Sequence, residues 1–148
     1  MNGKIEQLED FFDLDDFEHY KKYVIKNNNS IKNDSTITEY VWNKYRHKFL
    51  SVNSNITGLT DHVTISNSNK PVRLHQDRKL LGTKWKILIY LNEIVDGGTI
   101  FILDHKDYLV ENKPNKMVMF DMDLFHKSQK FQSDKNLKKL SIGFRALG

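Results

Sequence analysis

Cysteine is absent from this chain of 148 residues. That absence removes disulfides and every thiolate metal site, so a bound metal would have to rest on histidine and carboxylate groups. Proline is scarce, with two residues, and the rest of the composition is ordinary for a globular protein, at 39% hydrophobic and 28% charged. No apolar run approaches the roughly 20 residues needed to span a bilayer. Met1 to Phe11 is acidic and polar and lacks the charged-then-apolar order of a signal peptide. The expectation is a soluble, intracellular (cytoplasmic) protein without a membrane partner. A chain of this length forms a single domain over 1–148 that can bury its own core without staples.

The net charge of +4, from 23 basic and 19 acidic residues, is unevenly placed. Glu6 to Glu18 is acidic, whereas Lys127 to Lys139 carries five lysines against the single Asp134. Such a stretch can steer a polyanion, but no aromatic interleaving or nucleic-acid motif accompanies it. A solvated lysine-rich surface is the simpler reading. Heavy use of Asn and Lys suits an AT-rich genome, such as that of a large virus or a protist.

Helical spacing dominates residues 1–60, which read as a support for the rest of the domain. Leu8, Phe11 and Phe12, then Phe17, Tyr20 and Val24, recur at helical intervals, with Asp13 to Asp16 as a break or cap between two short helices. Asn27 to Ser35 reads as a loop. Thr36-x-x-Glu39 forms a capping box that opens a third helix, running to about Phe49, and Ser51 to Thr60 is turn-like. Over 61–148 the period changes to short β-branched runs: Val63 to Ile65, Val72 to Asp77, Lys84 to Asn92, Thr99 to Leu103, Tyr108 to Val110, Met117 to Asp121 and Leu140 to Ala146. The expected class is mainly β, a sandwich or barrel flanked by about three N-terminal helices.

Within the β region, His75-x-Asp77 is followed 51 residues later by His126. On a strand, residues i and i+2 face the same side, so His75 and Asp77 can point together into a barrel that His126 enters from a distant strand. Two imidazoles and one carboxylate bind one face of an octahedral metal and leave the opposite face open, the facial triad of non-haem Fe(II) oxygenases. A second match, His105-x-Asp107, lies only 21 residues before His126 and comes directly after the strand Thr99 to Leu103. His105 therefore reads as a surface turn residue, and His19, His47 and His62 as structural or exposed. Further along, Tyr90 sits in a buried strand and needs a partner for its hydroxyl. Gly97-Gly98 marks a tight turn or close backbone approach. Lys139 and Ser141, at i and i+2, bring a cation and a hydroxyl to one face, a pair that suits a carboxylate.

Taken in order, His75 and Asp77, Ile89 to Asn92, Gly97 to Phe101, Pro114 to Phe120, His126 and Lys139 resemble the 2-oxoglutarate- and Fe(II)-dependent oxygenases, in their prolyl 4-hydroxylase-like branch. The resemblance spans roughly Val63 to Leu147. It implies a double-stranded β-helix (jelly roll) with N-terminal helices, and Fe(II) held by His75, Asp77 and His126. It also implies a 2-oxoglutarate co-substrate paired with Lys139, helped by Tyr90 and Ser141, with Lys138 and Arg145 as alternative anchors. L-Ascorbate would serve as reductant. The implied reaction is hydroxylation of a prolyl or other peptidyl C–H bond with release of succinate and CO2, on a peptide or protein substrate. Lys84, Trp85 and the loop from Asp77 to Thr83 are candidates for lining a substrate groove. Two alternatives stay open: a nucleic-acid or free amino-acid oxygenase on the same scaffold, and a non-catalytic metal-binding barrel.

Overall fold

The computed structural model describes residues 5–77, 82–130 and 138–148. A six-stranded antiparallel sheet and a three-stranded one are built from β1 (Ile5–Leu8), β2 (Ser30–Asn33), β3 (Gly58–Ser68), β4 (Thr83–Tyr90), β5 (Thr99–Leu103), β6 (Lys106–Val110), β7 (Met117–Asp121), β8 (His126–Ser128) and β9 (Lys139–Leu147). The larger sheet runs β1-β7-β4-β9-β3-β2 and the smaller one β6-β5-β8. Two helices, α1 (Leu14–Asn27) and α2 (Ser35–Val52), complete the described elements. The class is mainly β, as the strand pattern predicts, and the architecture is the jelly roll that the family resemblance implies. None of the described helices is long and apolar enough to cross a membrane.

Strand alternation sorts the side chains of the larger sheet into two layers. Val63 and Ile65 on β3, Ile87 and Ile89 on β4, Met117 and Met119 on β7, and Leu140, Ile142 and Phe144 on β9 form one buried cluster with the helices. The helices answer with buried residues at helical spacing: Asp16, Tyr20 and Val24 on α1, and Thr38, Val41, Tyr45 and Phe49 on α2. Burying each large apolar group contributes about 1.5–3 kcal/mol, which makes this layer the main source of stability. The intervening residues point the other way, toward the smaller sheet. There Tyr90, Val118 and Phe120 join Phe101, Val110 and Leu124 in a second cluster.

Four local expectations are corrected. The segment with Leu8, Phe11 and Phe12 is not a helix: Ile5–Leu8 pairs with β7 in the register Ile5↔Phe120 to Leu8↔Met117. The chain then turns at Asp10, in the left-handed region with φ 52°. Asn115 fixes that turn, its side chain accepting from Phe12 N at 2.9 Å and donating to Phe12 O at 2.8 Å. The next element, α1, is capped by Asp13, whose carboxylate accepts from Asp16 N at 2.9 Å. Second, Asn27 to Ser35 is not all loop, because Ser30–Asn33 forms the edge strand β2 against β3. Third, α2 is capped by Asp34, which accepts from Ile37 N at 3.2 Å; a charged acceptor one residue before the helix displaces the Thr36 box. Fourth, Val72 to Asp77 is not a regular strand. Pro71 has no N–H to donate, Val72 N turns to the Ser128 hydroxyl at 2.9 Å, and only His75 forms a bridge, with His126.

Gly98 precedes β5 where the backbone passes close to the end of the neighbouring strand β6. A Cβ there would lie 2.3 Å from the Val110 carbonyl oxygen. Gly98→Ala is therefore expected to cost about 1–3 kcal/mol through overpacking, read as a lower urea midpoint with an unchanged slope.

Candidate metal centre and its cavity

His75 and His126 are joined back to back through the main chain. Each N–H donates to the other's carbonyl at 2.9 Å, which brings β8 against the segment after Pro71. Both imidazoles are then oriented in the same way. His75 Nδ1 lies 2.7 Å from the Arg73 carbonyl and His126 Nδ1 lies 3.0 Å from the Leu124 carbonyl. A carbonyl can only accept, so each Nδ1 carries a proton, and in the neutral ring each Nε2 presents a lone pair. The rings of Phe101 and Phe120 flank His126 at 5.6 and 4.9 Å between centroids. Burial is the main influence on His126 and lowers its pKa, which keeps the ring neutral.

Asp77 closes the group. Its Oδ1 is 3.7 Å from His75 Nε2 and its Oδ2 is 3.5 Å from His126 Nε2. The ligand-capable atoms of the three residues all lie within 4.8 Å of one another. Asp77 Oδ2 is buried and has no hydrogen-bond partner. Two lone-pair nitrogens and a carboxylate that converge without a donor among them fit a divalent cation. His105, by contrast, is exposed on the turn between β5 and β6 with φ 64°, away from this group.

The three residues open onto a cavity of about 240 Å³, lined also by Thr64, Ser66, Lys86, Lys139 and Ser141. Ser66, Ser141 and Tyr90 share one row across β3, β9 and β4. Lys139, two residues earlier on β9, holds its ammonium 5.3 Å from the centre of the Tyr90 ring. Burial lowers the Lys139 pKa to about 8 and raises that of Tyr90 to about 12. Tyr90 Oη shares a 2.5 Å hydrogen bond with Thr99 Oγ1. Of the alternative anchors, Lys138 is exposed and Arg145 is buried at the other end of β9. Trp85 packs with the helix-side cluster, on the face opposite the cavity, because it is out of phase with Lys86 and Leu88. Lys84 is exposed, and residues 78–81 of the suggested groove lie outside the described residues, as do 131–137 of the lysine-rich stretch.

The motifs of the sequence do not point to Lys86, yet it lies on the cavity wall with only 7% of its surface exposed. Its ammonium donates to Thr64 Oγ1 at 2.8 Å. Burial lowers its pKa to about 8, with Asp77 acting against the shift and Arg145 adding to it. The available signal is its phase: within Lys84 to Tyr90 it alternates with Leu88 and Tyr90, so it shares their inward face.

No protein-family model and no curated protein sequence matches the chain. Its fold does match solved structures. A Pseudomonas putida prolyl-4-hydroxylase superposes with TM-score 0.70 at 15% identity, over 98% of this chain and 93% of that one. A prolyl hydroxylase from Trichoplax adhaerens, in complex with a hypoxia inducible factor oxygen degradation domain peptide fragment, gives 0.68 at 15% identity over 99% and 84%. A 2OG-Fe(II) oxygenase family oxidoreductase from Burkholderia pseudomallei gives 0.73 at 8% identity over 99% and 85%. The non-heme alpha ketoglutarate dependent epimerase SnoN of nogalamycin biosynthesis shares the fold as well. The chain thus has the jelly-roll fold of the 2OG-Fe(II) oxygenases, prolyl 4-hydroxylases among them.

His62 lies beside the cavity wall, its Nε2 3.3 Å from Thr64 Oγ1. Burial first, then Arg145 and Lys86, lower its pKa from 6.5 to about 4. Between those values the unfolded chain binds a proton that the folded chain refuses, so stability is full above about 6.5 and falls toward about 4. His126 acts in the same direction. The urea midpoint is expected to drop through this window, and His62→Gln to flatten part of the decline.

Proposed function

We propose that the protein is an Fe(II)- and 2-oxoglutarate-dependent dioxygenase that hydroxylates a C–H bond of a prolyl or other peptidyl side chain, releasing succinate and CO2. The observation that carries this reading is the convergence of His75, Asp77 and His126 on a cavity that also holds the half-buried Lys139. The jelly-roll fold supports it, and so does the presence of prolyl hydroxylases among the proteins that share the fold.

In this reading His75 Nε2, the Asp77 carboxylate and His126 Nε2 hold the iron, which when bound supplies dioxygen activation coupled to oxidative decarboxylation of the co-substrate. The carbonyls of Arg73 and Leu124 fix both imidazoles in the ligating tautomer before metal arrives. Lys139 pairs with the distal carboxylate of 2-oxoglutarate, and the Ser141 hydroxyl adds a donor from the same face of β9. Tyr90 keeps its phenol protonated and bonded to Thr99, and its ring holds the Lys139 ammonium in place. Leu88 and Phe120 line the cavity with apolar surface, which strengthens the charge pair by excluding water. Ascorbate is the proposed reductant, and a peptide or protein the proposed substrate, in keeping with the peptide bound by the Trichoplax adhaerens enzyme.

The test is succinate formation from 2-oxoglutarate with Fe(II), ascorbate and air, with and without proline-rich peptides. Asp77→Ala and His126→Ala are expected to abolish it while circular dichroism and thermal unfolding report an intact fold. Full activity in either variant would end the triad assignment. Lys139→Ala is expected to raise the 2-oxoglutarate requirement about ten- to a hundredfold, the value of a charge-assisted hydrogen bond. The same increase in Lys138→Ala in its place would move the anchor.

A further inference from the structure

Two cations on the inner face are used neither by the metal triad nor by the 2-oxoglutarate contacts proposed above. Lys86 and Arg145 are direct partners across β4 and β9, and they are only 7% and 8% exposed. Room for Lys86 comes from Gly143, where a Cβ would lie 3.0 Å from Lys86 Cε and 3.2 Å from Nζ. Lys86 reaches only a neutral hydroxyl, Thr64 Oγ1 at 2.8 Å. Arg145 Nε is buried without a hydrogen-bond partner. Among the described residues, no carboxylate lies within ion-pair distance of either.

Buried charges are ordinarily paired, because desolvation is otherwise uncompensated. The carboxylate that acts on Lys86 is Asp77, which the metal reading already commits. Arg145 stands six residues from Lys139 along β9, roughly 20 Å of strand, so the two cations sit at different ends of that strand. An anion beyond the one at Lys139 would satisfy Lys86 and Arg145. Lys70 and Lys127 also line the cavity and extend its positive character.

We propose that Lys86, on the cavity wall, and its cross-strand partner Arg145 form a subsite for a carboxylate of the primary substrate, so that the prolyl compound acted on carries an acid group. A guanidinium and an ammonium on paired positions of neighbouring strands suit the planar carboxylate. This rests on the oxygenase reading. Its source is either the α-carboxylate of free proline or an acidic residue adjoining a peptidyl proline.

The test is calorimetric, on anaerobic full-length protein loaded with Mn(II) and 2-oxoglutarate. It is titrated with L-proline against L-prolinamide, and with N-acetyl-prolyl-aspartamide bearing a free side-chain acid against its asparagine analogue. The acid of at least one pair is expected to bind ten times tighter or more than its neutral partner; the pair that responds identifies the source. In Lys86→Met and Arg145→Gln that preference is expected to fall below about threefold, with 2-oxoglutarate affinity unchanged. Equal binding of acid and neutral partner, or no binding of any of the four, overturns the subsite. A loss of 2-oxoglutarate affinity in Lys86→Met overturns it too, by making Lys86 the co-substrate anchor. If wild-type protein takes up neither Mn(II) nor 2-oxoglutarate, the oxygenase reading itself falls. Thermal unfolding of both variants ensures that one folded variant suffices to decide.

Discussion

The twofold alternation of β4 and β9 is the constraint on which the molecule depends. One phase of these strands, Ile87, Ile89, Leu140, Ile142 and Phe144, packs against the helices and supplies most of the buried apolar surface. The opposite phase is thereby freed from holding the fold together, and it carries Lys86, Tyr90, Lys139, Ser141 and Arg145. A slip of one residue in either strand would send lysines into the helical interface and isoleucines into the cavity. Stability and chemistry are consequently locked to the same register.

That arrangement explains how a small domain tolerates several polar groups in its interior. Tyr90 is matched to Thr99, Lys86 to Thr64, and both candidate ligand histidines to carbonyls two residues earlier. The helical layer also buries a few polar groups: Asn67 donates to the Val24 and Ile25 carbonyls, and the Asp16 carboxylate accepts from Tyr45 and Tyr40 and pairs with Lys44. The Asp16 network ties α1 to α2. Of the buried polar atoms without partners among the described residues, Asp77 Oδ2 and Arg145 Nε belong to the inner side of the sheet, whereas Tyr23 Oη, Ser30 Oγ, Asn67 Oδ1 and Asn112 Nδ2 lie elsewhere.

Metal-ligand geometry here arises from two unlike supports. His126 sits in a short strand hydrogen-bonded to β5 through Phe101, whereas His75 and Asp77 lie on an irregular segment held by one bridge and by side chains such as Gln76, which donates to the Asp123 carbonyl at 2.6 Å. The rigid half is buried and the irregular half is more exposed: the His75 side chain is 37% accessible against 10% for His126. Access to the centre is thus easiest from the His75 side.

The mainly β class, most strand positions, the His75, Asp77 and His126 grouping and the shared face of Lys139 and Ser141 could be read from the sequence, because each rests on local periodicity or on donor chemistry at fixed spacing. The strand at Ile5–Leu8 could not be read, nor could the edge strand at Ser30–Asn33, since both exist only through pairing with distant strands. The cap at Asp34 likewise depended on competition between two acceptors that pattern alone does not rank. Whether Lys138, Lys139 or Arg145 faces the triad, and that Lys86 joins them, was decided by register. Local alternation along each strand determines which residues share a face; only the tertiary contact of β4, β9 and β3 decides which phase meets the helices and which is left to bind a ligand.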